Sequence, residues 1–250
     1  MKLYLIASNK YAHICPISIH FLNKYWPHQD ITLLGYEELE SLTGLPDNVS
    51  VEVLGKQSNF GSSWTTALIP FFTDTSHDRF VIVVEDLILM NKVDVQKIAL
   101  LEEQFDLGIA DKAVIGGGLP LHMTTKLTDE VLVFNQNINY RSTLHPSIWT
   151  KNYFLKFLKP GLTAWDFEIH NDSLAHCDGA NIIVNDYTYP QSPHLFSCLN
   201  LYSRGELMIN KDTQILDNQL SSRHFDKKDL KYIWEEIQTH EKSKEGASTK

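Results

Sequence analysis

Arg79-Phe80-Val81-Ile82-Val83-Val84-Glu85-Asp86 is the stretch that decides the fold of this chain. Phe80 through Val84 is an unbroken apolar run rich in β-branched side chains, entered from a charge and left at two acids. An alternating strand has one wet face, whereas a continuous one predicts burial on both faces, as in a parallel sheet covered by helices. The acids that follow then stand at the carboxyl end of a central strand, where open α/β sheets bind their ligands.

On the N-terminal side, residues 2–7 read as a first strand that ends in Ser8-Asn9-Lys10-Tyr11. A helix is expected over 13–25, stopped by Trp26-Pro27, then short strands over 31–36 and 49–54. Residues 62–72 predict a helix capped by Ser62 or Ser63. On the C-terminal side, helical spacing covers 93–105, and strands are expected over 113–115, 131–134 and 181–184. Helices are expected over 146–158, with Pro146 at its start, and over 164–175. A charged amphipathic helix covers 227–240, and residues 241–250 are expected to be a disordered tail. The β-α-β-β-α-β-α order implies one α/β domain over 1–240, an open, mainly parallel sheet flanked by helices.

A chain of 250 residues, 43% hydrophobic, can build such a core without a metal or a disulfide. Its three cysteines, Cys15, Cys177 and Cys198, have no CxxC spacing and suit a reducing cytoplasm. The N-terminal apolar run is too short for a signal peptide, and nothing approaches the ~20 apolar residues of a membrane span. The formal net charge of −9 argues against a nucleic-acid binder, which needs a basic patch. It leaves room for an anionic ligand held by main-chain N–H groups, one Arg or a divalent cation.

Three segments carry candidate chemistry. Ser8-Asn9 offers small polar groups for a base or ribose, or is simply a polar turn. Glu85-Asp86 offers oxygen ligands for Mg²⁺ or Mn²⁺ against a diphosphate, or is a strand terminus. In Trp165-Asp166-Phe167-Glu168, a helix would bring Trp165, Glu168 and Ile169 together and point Asp166 elsewhere. A carboxylate beside an aromatic ring suits a general base, and the ring suits a sugar's apolar face; an amphipathic helix with Trp165 in the core remains the plain alternative. Gly116-Gly117-Gly118 matches neither a P-loop nor a dinucleotide fingerprint, and there is no GxSxG or HExxH.

Several of these pieces recur together. Phe21-Leu22-Asn23-Lys24-Tyr25-Trp26-Pro27, Gly61-Ser62-Ser63-Trp64, Val83-Val84-Glu85-Asp86, Ser142-Thr143-Leu144-His145-Pro146-Ser147-Ile148-Trp149 and Ala164-Trp165-Asp166-Phe167-Glu168 follow the polar turn at Ser8, with a late Tyr202-Ser203-Arg204-Gly205. In this order the chain resembles small GT-A-like glycosyltransferase proteins of phage, giant-virus and bacterial sources, over about residues 3–185. The resemblance implies a GT-A-like, Rossmann-like fold and transfer of a sugar from a nucleotide-sugar donor to a glycan or other hydroxyl acceptor. It implies Ser8, Asn9 and Trp64 at the nucleoside, Glu85 and Asp86 at the metal-binding position with Mn²⁺ or Mg²⁺ on Asp86, and Asp166 or Glu168 at the acceptor beside Trp165. Glu85-Asp86-Leu87 departs from D-x-D, so Lys10 and Arg141 are added as cations for the leaving diphosphate. Glu168, then Asp166, is the expected base of an inverting transfer, and residues 116–123 and 188–199 are the loops expected to set specificity. A non-catalytic sugar-nucleotide or glycan-binding module on the same fold is the rival reading.

Overall fold

The computed structural model describes residues 1–116, 121–186, 195–203, 205–210, 212, 214–216 and 225–248. Gly117, Gly118, Arg204 and much of the two loops expected to set specificity lie outside the described residues.

The chain runs β1 (Lys2–Ile6), α1 (Cys15–Tyr25), β2 (Asp30–Gly35), β3 (Val49–Val53), α2 (Thr65–Asp74), β4 (Arg79–Val84), β5 (Leu87–Leu89) and α3 (Val95–Asp106). It continues through β6 (Lys112–Val114), β7 (Thr124–Lys126), β8 (Val131–Phe134), β9 (Ser147–Thr150), α4 (Lys151–Phe157), α5 (Ala164–His170), α6 (Asp172–Ala175) and β10 (Ile182–Asn185). Last come β11 (Cys198–Asn200), β12 (Tyr202–Ser203), β13 (Glu206–Leu207) and α7 (Lys227–Ser248).

Nine strands form one sheet in the order β3-β2-β1-β4-β9-β6-β10-β8-β7. β1, β2, β3 and β4 are parallel, as are β6 and β10, while β9 and β8 run against their neighbours. The decisive strand β4 is central, and its continuous apolar run has the cause expected. Val81 and Val83 enter the core under α1 and α3, with Leu22, Ile98 and Leu101. Phe80 and Ile82 enter the opposite core with Leu68 of α2, Phe154 of α4 and Phe167 of α5. A third cluster seats α7 on α1 through Ile233, Ile237, Ile17 and Phe21. Asp229 of α7 also accepts hydrogen bonds from Lys24 and Tyr25. Cys15 and Cys177 are free thiols, Cys15 buried and Cys177 exposed.

Several boundaries differ from expectation. Residues 147–150 are a strand, not the first turn of a helix: Ser147-Ile148-Trp149-Thr150 fills the slot between β4 and β6. Its β-branched and aromatic side chains pack on both faces, and Thr150 then caps α4 by accepting from the Tyr153 N–H. A 3-10 turn (Asn9–Ile14) precedes α1. The helix expected from residue 62 starts at Thr65, although Ser63 Oγ does accept from the Thr66 N–H at 3.1 Å. The 164–175 helix breaks at Asn171, whose amide donates to the Phe157 carbonyl. The last helix passes residue 240 and runs to Ser248, so it takes in most of the segment expected as a disordered tail.

The ends of β1, β2 and β4 meet closely. Glu85 N–H donates to Ile6 O at 3.1 Å and Ala7 N–H to Leu34 O at 2.9 Å. A Cβ on Gly35 would lie 2.5 Å from Ala7 O, so only glycine lets the chain leaving β1 pass there. This crossing sets Ser8 against Glu85.

Candidate functional site

Ser8 donates from both its N–H and its Oγ to Glu85 Oε1, at 3.2 and 3.1 Å. Glu85 is buried, and burial together with the neighbouring Asp86 pushes its pKa up to about 8. It therefore sits protonated near neutral pH, as a latch between the ends of β1 and β4. Asp86 is pushed up to about 6, first by burial and then by the charge of Glu168, and so remains mostly ionised at pH 7. The β5–β11 ribbon fixes it from behind, since Leu201 N–H donates to Asp86 O at 2.7 Å.

The latch has a consequence for stability. Glu85 is ordinarily ionised above about 4.5 in the unfolded chain but only above about 8 in the fold. The unfolded state then loses its proton first, so this group's contribution is full below pH 4.5 and is lost as pH rises toward 8. Glu85→Gln, which keeps an acceptor for Ser8, is expected to flatten that decline in EDTA and to raise Tm at pH 8 relative to wild type. Thermal melts from pH 5 to 9 read it, and parallel curves for the two proteins would show that Glu85 is charged in the fold.

Glu168 projects from α5 and is held by one oxygen. Its Oε1 accepts from Thr143 Oγ1 at 2.9 Å and Leu144 N–H at 2.6 Å, while Ser142 Oγ donates to its main-chain oxygen at 2.9 Å. Thr143 Oγ1 in turn accepts from His145 N–H at 3.2 Å, which aims its own proton at Glu168. Among the described residues Glu168 Oε2 makes no hydrogen bond within the protein.

A cleft of about 820 Å³ gathers these groups at the carboxyl ends of β1 and β4. Ser8, Trp64, Glu85, Asp86, Trp165 and Glu168, drawn from four separate parts of the sequence, all line it. Trp64 is braced edge-on by Phe167, with ring centroids 5.4 Å apart. Trp165 is 66% exposed, so it lies on the rim and not in the core. Tyr11, Tyr202 and Ser203, which stand in the segments 8–11 and 202–205 but carry no expected role there, also line the cleft, as does Asn200, which the sequence did not point to. Tyr11 and Tyr202 face each other with ring centroids 5.0 Å apart. Tyr11 stands directly after Ser8-Asn9-Lys10, whereas Tyr202 arrives from almost 200 residues away, so that its place beside Tyr11 is set by the fold.

Four expected site residues do not line the cleft. Asn9 knits neighbouring turns, its N–H donating to Gln57 Oε1 and its Oδ1 accepting from Glu38 N–H. Lys10 is exposed, with Nζ 4.8 Å from the centroid of the Tyr11 ring at the edge of the cleft. Arg141 is fully buried and spends its guanidinium on the carbonyls of Asn135, Ala175 and Ala180 and on Asp178. It braces the fold from inside and is in no position to meet a diphosphate. Asp166 closes a capping box with Thr163, whose hydrogen bonds hold its carboxyl below the ordinary range. A carboxylate committed to its own helix start is a poor proton acceptor for a substrate.

Among the described residues no three His, Cys, Asp or Glu side chains gather into a ready-made metal cage. A cage is not what a nucleotide-bound Mg²⁺ needs, since one or two carboxylates and the phosphates suffice. Asp86 fits that role as a half-buried, anionic oxygen donor with no cation paired to it among the described residues. Glu85, protonated and turned to Ser8, does not.

No protein-family profile matches the chain, and no curated protein matches its sequence. Solved structures do. The 1–349 fragment of S. aureus TarS in complex with UDP aligns with 13% identity and a TM-score of 0.52 over 74% of this chain and 57% of that one. S. aureus TarS itself aligns with 14% identity and a TM-score of 0.50 over 74% of this chain and 35% of that one. A cytidylyltransferase from Leptospira borgpetersenii serovar Hardjo-bovis is similar over 95% of this chain and 94% of that one, at 12% identity and a TM-score of 0.47. The chain thus spans about half or less of the TarS chains it matches. No helix among the described residues is long and apolar enough to cross a membrane. With the strand order, the TarS likeness identifies the fold as a single-domain, GT-A-like member of the Rossmann-type α/β architectures.

Proposed function

We propose that the chain is a glycosyltransferase that takes a sugar from a nucleoside-diphosphate donor, with UDP-sugars the first to test because the similar TarS fragment was solved with UDP. The observation that carries this reading is the pair Asp86 and Glu168. They come from strand end and helix, face one cleft, and lie close enough that the charge of Glu168 is felt at Asp86. Ser8 and Trp64, which the resemblance puts at the nucleoside, line the cleft together with Tyr11, and Trp165 offers the rim on which an acceptor ring would stack.

In the transfer, Glu168 takes the proton from an acceptor hydroxyl as its oxygen bonds to the anomeric carbon. The bond from that carbon to the phosphate oxygen breaks, and the nucleoside diphosphate leaves with the electron pair, giving inversion. Asp86 would hold Mn²⁺ or Mg²⁺, and that ion would stabilise the charge growing on the departing diphosphate. Glu85 stays neutral, keeps Ser8 in place and adds no further negative charge opposite the phosphates.

The test is a thermal-shift panel of UDP-, GDP-, CMP- and dTDP-sugars, each with Mn²⁺ and with EDTA. Saturation at about a hundred times Kd adds ~2.7 kcal/mol, a plainly visible rise in Tm. The expected result is a shift with one nucleotide class that disappears in EDTA, followed by slow release of free nucleotide in water. A shift without any such release favours a binding module on this fold; no shift with any donor removes the reading.

A further inference from the structure

Lys112 lies in β6 near the middle of the sheet, paired with Trp149 of β9 and Ile182 of β10, and none of it is exposed. It forms no ion pair among the described residues. Burial drives its amine well below the ordinary lysine range, opposed by the charge of Glu168. A methionine would fill this space without the cost of desolvating an amine, so packing alone does not account for the residue.

Its bonds do. Nζ donates to the main-chain oxygens of Arg141 at 3.0 Å and Thr143 at 2.8 Å, and sits 3.9 Å from the centroid of the Trp149 ring. Both acceptors belong to one strap, residues 141–144. Three other polar groups of that strap, Ser142 Oγ, Thr143 Oγ1 and Leu144 N–H, hold Glu168. A single amine on a rigid central strand therefore pins alternate carbonyls of the segment whose opposite side fixes a carboxylate in the cleft.

We propose that Lys112 is a positioning residue for Glu168, acting through the strap at 141–144 to hold the carboxylate where it meets the acceptor. The proposal rests on the reading of Glu168 as the base and deepens it. Lys112 touches no substrate. It sets the geometry of the group that does, and a misplacement of about 1 Å at a reacting group can lower turnover on the order of a hundredfold.

The experiment uses the whole chain with Mn²⁺. Calorimetry measures UDP binding, and the rate of UDP release is followed with a mixture of UDP-glucose, UDP-galactose and UDP-N-acetylglucosamine. Glu168→Gln is run first. If wild type releases no UDP, or if this variant releases it undiminished, the reading of the site has failed and takes the inference with it. Given a base at Glu168, Lys112→Met is expected to lower the maximal rate at least about tenfold while UDP affinity stays within about twofold. Adding Thr143→Val to Lys112→Met should then cost less than it costs in wild type, because both act on the same carboxylate. Lys112→Gln, which retains one donor, is read in the same way should the methionine variant not fold. A folded variant with an undiminished rate, or one in which rate and UDP affinity fall together, overturns the proposal. So does failure of both variants to fold, which would make Lys112 a core residue alone.

Discussion

Glu168→Gln is expected to lower turnover by about 10²–10⁴-fold, the span that general-base assistance usually contributes, and to leave nucleotide affinity nearly unchanged. The substitution is well suited to the local geometry. The amide oxygen of Gln can accept from Thr143 Oγ1 and Leu144 N–H as Glu168 Oε1 does, so the strap and α5 keep their contact. What disappears is the second oxygen's ability to take a proton. The charge opposing Asp86 disappears as well, so its pKa should fall toward the ordinary range and its anionic form be favoured. A loss confined to turnover is therefore the signature of a missing base and not of a damaged donor site. Asp166→Asn is the internal control. Its carboxylate caps α5, so the variant should melt slightly lower and keep turnover within about twofold. The opposite pattern, with activity lost at 166 and kept at 168, would reassign the base and leave the capping box without its role.

How these two acids differ was partly written in the sequence. Helical spacing alone separates Asp166 from the face shared by Trp165, Glu168 and Ile169, because residues three and four apart stack while neighbours diverge. The capping role of Asp166 was also legible, since Thr163-x-x-Asp166 is the acidic variant of a capping box. The central sheet was legible for a similar reason. Phe80 through Val84 tolerate no polar residue because both faces are covered, and that demand is visible in five letters. Ser147 to Thr150 was not, because a Pro at the start of a run suits a helix or a strand entry equally, and only the vacancy between β4 and β6 settles which. Burial misled most at Arg141. A lone Arg among polar residues in sequence has the composition of a phosphate binder; that Asn135, Ala175 and Ala180 converge on it is a property of two loops and the end of α6 meeting in space. The sequence likewise shows Glu85 and Asp86 as a matched pair of acids. The fold separates them into a neutral latch and a charged donor, through Ser8 on one side and the open cleft on the other.

The largest effect on stability is expected at Arg141. Truncation to Ala would take a donor, now at 2.7 to 3.0 Å, from the carbonyls of Asn135, Ala175 and Ala180, of which, among the described residues, Ala180 alone keeps another in Gln136 Nε2 at 2.8 Å, and would remove one of the two cations on Asp178. Breaking a buried charge network by removing one member typically costs about 3–5 kcal/mol, and here the residue is wholly inaccessible, so water cannot replace the lost donors without opening the loops. Lys156 remains on Asp178 at 2.8 Å, which keeps that carboxylate from being stranded and places the expected loss toward the lower part of the range. Urea titration should show a midpoint well below that of wild type with an unchanged slope, as befits a weaker fold of the same size. Arg141→Lys is the more searching variant. It keeps one positive charge but lacks the planar fork that reaches several carbonyls at once, so it should lose stability while remaining folded in the cold. If Arg141 served a diphosphate, the lysine would retain much of the binding and the alanine would lose it. If it serves the main-chain oxygens at 135, 175 and 180, both variants bind UDP with wild-type affinity wherever they are folded. UDP affinity that falls about tenfold in a folded alanine variant and is largely kept by the lysine variant would return Arg141 to the donor site.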